Sequence, residues 1–116
     1  MKVVKVIARV FLISVFVLTG EVAFANPAHE ILSGLSYEKR NVAFTEFMRK
    51  NGEDCEVIKS FFQGFDNERN AYWNVACKRR GAWVIQVMPN KTGSTRIMPC
   101  SIQKSLTRTE CFKTFE

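Results

Sequence analysis

The chain has 116 residues, 47% of them hydrophobic and 24% charged, with 17 basic and 11 acidic side chains and a formal net charge of +6. The length suits one domain with a modest core. Four cysteines separated by long gaps, a single histidine and no C-x-x-C-H run exclude a c-type haem site and an ordinary structural zinc site.

In chain order, Lys2, Lys5 and Arg9 precede an apolar run of about ten residues, Val10 to Thr19, and Ala23-Phe24-Ala25 follows as a small-x-small site. The pattern is that of an export signal peptide, residues 1–25, cleaved after Ala25. The apolar run is shorter than the roughly 20 residues that span a bilayer, and no cysteine stands at the site to carry a lipid. The expected mature protein is residues 26–116, periplasmic or secreted, with 14 basic and 10 acidic residues. Its charge is uneven: residues 26–70 hold eight acids and six bases, residues 71–116 two acids and eight bases. A positive half of that kind suits an acidic protein or an anionic membrane surface.

Residues 26–35, with Pro27 and Gly34, are expected to be a flexible lead-in with one helical turn at Ala28 to Ser33. A single domain, 36–116, then opens with a helix from the N-cap Ser36 through Lys50, stopped by Asn51-Gly52. Tyr37, Phe44, Phe47 and Met48, helped by Val42 or Ala43, make its apolar stripe, and Glu46 with Lys50 makes an i,i+4 pair. The first strand, Val57 to Phe65, is apolar on both faces, with Phe61 and Phe65 on one and Ile58 and Phe62 on the other. Asp66 to Asn70 is a polar reversal.

Ala71 to Cys77 and Ala82 to Met88 alternate as a hairpin. A three-residue loop, Arg79-Arg80-Gly81, would pair Cys77 with Trp83, Val75 with Ile85 and Trp73 with Val87, with all six side chains on one face. Pro89 to Ser94 reverses the chain again, and Thr95 to Met98 is a short strand that Pro99 confines to an edge. Ser101 to Thr107 is expected as a helical turn with Ile102 and Leu106 inward, before Cys111, Phe112 and Phe115 anchor the tail. The fold class is α+β: one N-terminal helix packed on a four-stranded antiparallel meander, with two disulfides.

An even cysteine count in so short an exported chain points to two bridges among Cys55, Cys77, Cys100 and Cys111. In a meander the strands of Cys77 and Cys100 are separated by the strand of Trp83, about 10 Å across the sheet, which is beyond disulfide reach. Cys100 with Cys111 can staple the tail, and Cys55 with Cys77 remains, provided the chain bends before the first strand.

Phe61-Phe62-Gln63-Gly64, Ala71 to Cys77, Val84-Ile85-Gln86, Thr92-Gly93-Ser94-Thr95 and Glu110-Cys111-Phe112-Lys113 together resemble a family of small exported bacterial proteins, mostly proteobacterial. The shared pattern is FFQGxD, (F/Y)WNVAC, a glycine turn, YVVQI, TGST and ECFK, over about Ser36 to Phe115. Trp83 departs from the tyrosine of that pattern, and Lys78-Arg79-Arg80 is more basic than its usual turn. The resemblance implies an exported α+β domain with these cysteines and carries over no catalytic residue. A bacterial envelope also makes the sequon Asn90-Lys91-Thr92 a chance match.

No nucleophile stands with a base: the cysteines are expected in bridges and His29 lies near the mature terminus. Asp54 with Glu56 and Asp66 with Glu68 flank strand ends and read as solvating acids, and Lys91-Thr92-Gly93-Ser94 lacks phosphate-loop spacing. Tyr72, Trp73 and Trp83 beside the basic turn read as core rather than as a stacking platform, so nucleic acid is not an expected partner. The chain is therefore expected to be a binding protein, not an enzyme, without a cofactor or metal. Lys78, Arg79, Arg80, Lys91 and Arg96 are the candidate contacts to an acidic protein; the alternative is a peripheral envelope component that binds a membrane complex or an anionic lipid surface.

Overall fold

The computed structural model describes residues 26–115, so the leader and its cleavage site lie outside the described residues. Seven elements follow in order: α1 (Pro27–Gly34), α2 (Tyr37–Lys50), β1 (Val57–Phe65), β2 (Ala71–Cys77), β3 (Ala82–Val87), β4 (Thr95–Pro99) and α3 (Cys100–Thr107). The strands form one antiparallel meander in the order β1-β2-β3-β4. The α+β class, the four strands and both disulfides, Cys55–Cys77 and Cys100–Cys111, are as the sequence indicates, but three helices replace the single one expected.

The lead-in is the first correction. Residues 27–34 form a complete helix because Asn26 caps it, accepting from the His29 backbone N–H at 3.2 Å, while Pro27 fits the first turn. The Asn26 amide also donates to the carbonyls of Val87 and Arg69, each at 3.0 Å, and fastens the helix to the sheet. At the other end Arg40 donates to the carbonyls of Leu32 and Leu35, each at 3.0 Å, and its guanidinium lies 5.1 Å from the Trp73 ring centroid. His29 is consequently buried, far from the frayed position expected of it.

α2 starts at the Ser36 cap, whose hydroxyl accepts from Lys39 N–H at 3.2 Å, and ends where Gly52 takes φ +83°. Phe44 and Met48 face the sheet as expected, whereas Tyr37 and Val42 are exposed and Asn41 turns inward. Glu46 pairs with Arg49 at 2.7 Å, one residue nearer than the expected Lys50.

The central hairpin pairs Ala71 with Val87, Trp73 with Ile85 and Val75 with Trp83, two residues displaced from the expected register. The loop is Lys78-Arg79-Arg80, because Gly81 at φ +97° turns its carbonyl directly onto Cys77 N–H, 3.0 Å away. A shift of two is one side-chain period, so the apolar face survives intact. β1 carries a second irregularity between Phe62 and Gly64, where Gly64 adopts φ +143°. That bulge advances the alternation by one and brings Phe65 beside Phe62, 5.2 Å between ring centroids, not beside Phe61.

The sheet is covered on both faces. On one, α1 and α2 bury Trp73, Val75, Ile85, Val87 and the Cys55–Cys77 bridge with Phe44 and Met48. On the other, α3 and the tail cover a polar layer of Gln63, Asn74 and Gln103, all nearly inaccessible. α3 therefore points Gln103 inward and leaves Ile102 and Leu106 45% and 66% exposed, the reverse of the expected orientation. The two-faced β1 is sandwiched only at its middle, where Phe62 lies against His29 and Phe61 lies 6.2 Å from Phe112; Ile58 and Phe65 are 51% and 40% exposed.

Candidate functional site

The five candidate contacts fall in three places. Lys78, Arg79 and Arg80 form the β2–β3 tip; all three are exposed, and their side chains make no hydrogen bond or ion pair among the described residues. The Cys55–Cys77 bridge and a 2.8 Å bond from Lys78 N–H to the Glu56 carbonyl fix the base of that tip. Lys91 belongs to the β3–β4 turn, which antiparallel pairing puts at the opposite end of the sheet. That turn is shaped by Asn90, whose side chain accepts from Ser94 N–H at 3.0 Å. Arg96 lies on the edge strand and is already engaged, donating to Gln86 at 3.0 Å.

Arg96 ends a line of hydrogen bonds that crosses the sheet. Gln86 donates to the Tyr72 hydroxyl at 2.9 Å, and Tyr72 donates to Asp66 at 2.9 Å. Burial pushes the Asp66 carboxyl up, but bonds from Asn70, Tyr72 and Glu68 outweigh it and hold the group below the usual carboxylate range. Burial and the adjacent Asp66 carboxylate push the Tyr72 phenol up to about 12, so it remains a donor. This line positions the β1–β2 turn and consumes Arg96 in doing so.

Carboxylates adjoin the tip. Asp54 and Glu56 share a small cleft of about 140 Å³ with Lys78 and Arg79. A larger cleft of about 560 Å³ lies between α2 and the start of β1, lined by Glu38, Asn41, Val42, Thr45, Glu46 and Glu56 among others. A third, about 670 Å³, separates the β1–β2 turn from the tail. Two of its cations, Lys104 and Lys113, are tied to Glu110 at 3.0 and 3.6 Å, and they hold that carboxyl below its ordinary range.

Two buried polar groups escaped sequence reasoning. His29 Nδ1 accepts from Trp73 Nε1–H at 3.1 Å, and its Nε2 lies 3.1 Å from Ser33 Oγ. An indole only donates, so Nδ1 is unprotonated and Nε2–H donates to Ser33. Burial lowers the imidazole pKa, and Glu30 offsets part of that. Asn74 on β2 donates to Gln63 at 3.1 Å and accepts from Phe112 N–H at 2.7 Å; Gln103 donates to the same Gln63 oxygen at 2.8 Å. The strand alternation that placed Trp73 and Val75 on the helix face put Asn74 on the other, and only the folded tail shows what it binds.

Among the described residues no group of three or more His, Cys, Asp or Glu side chains could hold a metal ion, and no helix is long and apolar enough to cross a membrane. No protein-family model, curated protein or solved structure matches the chain.

Proposed function

We propose that this is an exported interaction module, not an enzyme, which docks an acidic protein through Lys78, Arg79 and Arg80. The observation that carries this reading is the state of the tip: three consecutive exposed cations with no side-chain hydrogen bond or ion pair among the described residues, on a loop whose base is fixed by a disulfide. A fixed base lowers the ordering cost of binding, and exposed cations speed encounter with an acidic surface. Lys91 and Arg96 lie outside this contact, one at the far end of the sheet and one bonded to Gln86. The two disulfides accord with an oxidising compartment, the periplasm or the cell exterior.

The test is capture of partners by the oxidised protein from its own envelope extract, with elution by rising salt. Arg79→Glu with Arg80→Glu should abolish capture of an acidic protein; retention of the same partner discards the tip. A second reading rests on Ile102 and Leu106, which stand one turn apart on α3 near Lys104 and are largely exposed. They favour contact with an anionic lipid surface, and salt-sensitive binding to anionic vesicles that Ile102→Ser with Leu106→Ser removes would replace the first reading.

A further inference from the structure

We infer that the acidic partner of the basic tip is a second copy of this chain, received in the cleft between α2 and the start of β1. This rests on the reading of Lys78, Arg79 and Arg80 as the docking element. The cleft is built from acceptors. Glu38 and Glu56 carry no ion pair among the described residues, and Glu46 is held by Arg49 at 2.7 Å. Asn41, only 9% exposed, lines the same cleft, and its Oδ1 is buried without a hydrogen-bond partner among the described residues. Thr45 is already satisfied, donating to the Asn41 carbonyl and accepting from Val57 N–H, both at 2.8 Å. A buried acceptor left unpaired is costly, so the site is complementary to a group that only donates.

Guanidinium and ammonium groups are such donors, and their aliphatic stems would lie on Val42, which is 62% exposed in the same cleft. The chain itself supplies three of them in a row at the tip. Cleft and tip are also adjacent, since Glu56 lines the cleft while its carbonyl accepts from Lys78 N–H. One surface therefore carries a donor projection beside an acceptor recess. That is the self-complementary patch an isologous two-fold dimer requires, each tip entering the other copy's cleft.

The test is sedimentation of the oxidised protein, alone and as charge-reversed variants. Wild type should dimerise at low salt and weaken by about tenfold or more at high salt, as the Debye length falls from roughly 30 Å to roughly 3 Å. Arg79→Glu with Arg80→Glu, and separately Glu38→Lys with Glu56→Lys, should each be monomeric. Mixed, they should form a one-to-one heterodimer, because each tip again meets a cleft of opposite sign. All four positions are exposed, and unchanged circular dichroism would show that each variant folds. A monomeric wild type, dimers that survive either reversal, or no complex on mixing would overturn the inference. If the wild type is monomeric yet reversal of the tip still abolishes capture of another acidic protein, the self-pairing fails while the docking role of the tip stands.

Discussion

Asn74→Ala probes the polar layer beneath the tail. In the native protein Asn74 is fully buried, donating to Gln63 at 3.1 Å and accepting from Phe112 N–H at 2.7 Å. The Gln63 oxygen keeps its bond from Gln103 at 2.8 Å, so it is not orphaned. Phe112 N–H is orphaned, at a residue already held at φ +65°. Two net hydrogen bonds at about 1 kcal/mol each, and about 1 kcal/mol more for the stranded amide, give a loss of about 3 kcal/mol. For a domain of this size that is a fall in Tm of roughly 15 °C. Urea unfolding of the oxidised protein measures the first number. Amide exchange locates it, because Phe112 and Phe115, whose N–H groups bond to Asn74 and to the Gln63 carbonyl, should lose protection before the β2 and β3 amides do. A loss below about 0.5 kcal/mol with Phe112 still protected would refute the claim that Asn74 holds the tail.

Gly93→Ala should destabilise by more than the 1–2 kcal/mol or so of a left-handed alanine, since Gly93 has φ +63° and a Cβ there would stand 2.6 Å from the Ala28 Cβ. Ala28→Gly in the same chain should restore only the contact part of the loss, and thermal melts of the three variants check this. For His29 the unfolded imidazole titrates at its ordinary 6.5 and the folded one lower, so the unfolded state takes the proton first. Its contribution is intact above about pH 6.5 and lost as pH falls below that value toward the folded pKa. Urea midpoints from about pH 7.5 to about pH 5 should show this decline, and His29→Gln should flatten it; an equally steep variant would clear His29 of the effect. Replacing Cys100 and Cys111 by serine opens a bridge of sequence separation 11 and should cost about 3 kcal/mol, read as the loss in urea stability.

The sequence told most where its signals were local. The alternation in Ala71 to Cys77 and Ala82 to Val87 identified the hairpin and its apolar face, because side-chain period is a property of the strand itself. The Ser36 cap and the Asn51-Gly52 stop delimited α2 for the same reason. What failed depended on contacts distant in the chain. α1 has a local cap in Asn26-Pro27, but it is held on the sheet because Asn26 reaches Val87 and His29 reaches Trp73, across 61 and 44 positions, and neither pairing has a local signature. α3 has an apolar pair at Ile102 and Leu106 that points inward on any amphipathic reading, yet Gln103 wins the interior because Gln63 offers it a buried partner. Charge alone marks the candidate contacts, and charge does not reveal that Arg96 is bonded or that Lys91 sits at the other end of the sheet.

The two faces of the sheet are held by different means, and this gives the disulfides unequal tasks. The helix-covered face buries Trp73, Val75, Ile85 and Val87 and is stabilised by apolar area removed from water. The tail-covered face buries amides, whose bonds to one another replace bonds to water and so yield only about 1 kcal/mol net each. What the tail adds in apolar contact is small: Phe112 against Phe61 and Lys59, and Phe115 against Tyr72. Ordering those residues costs about 1–2 kcal/mol each in backbone entropy, more than such contacts return. Cys100–Cys111 closes the gap by confining the tail near the amide layer before any of its bonds form. Under reduction the tail should therefore leave first, exposing Gln63 and Asn74 while the hairpin and α2 persist. Full burial of the polar face then requires an oxidising environment, a dependence that follows from the chemistry of the layer.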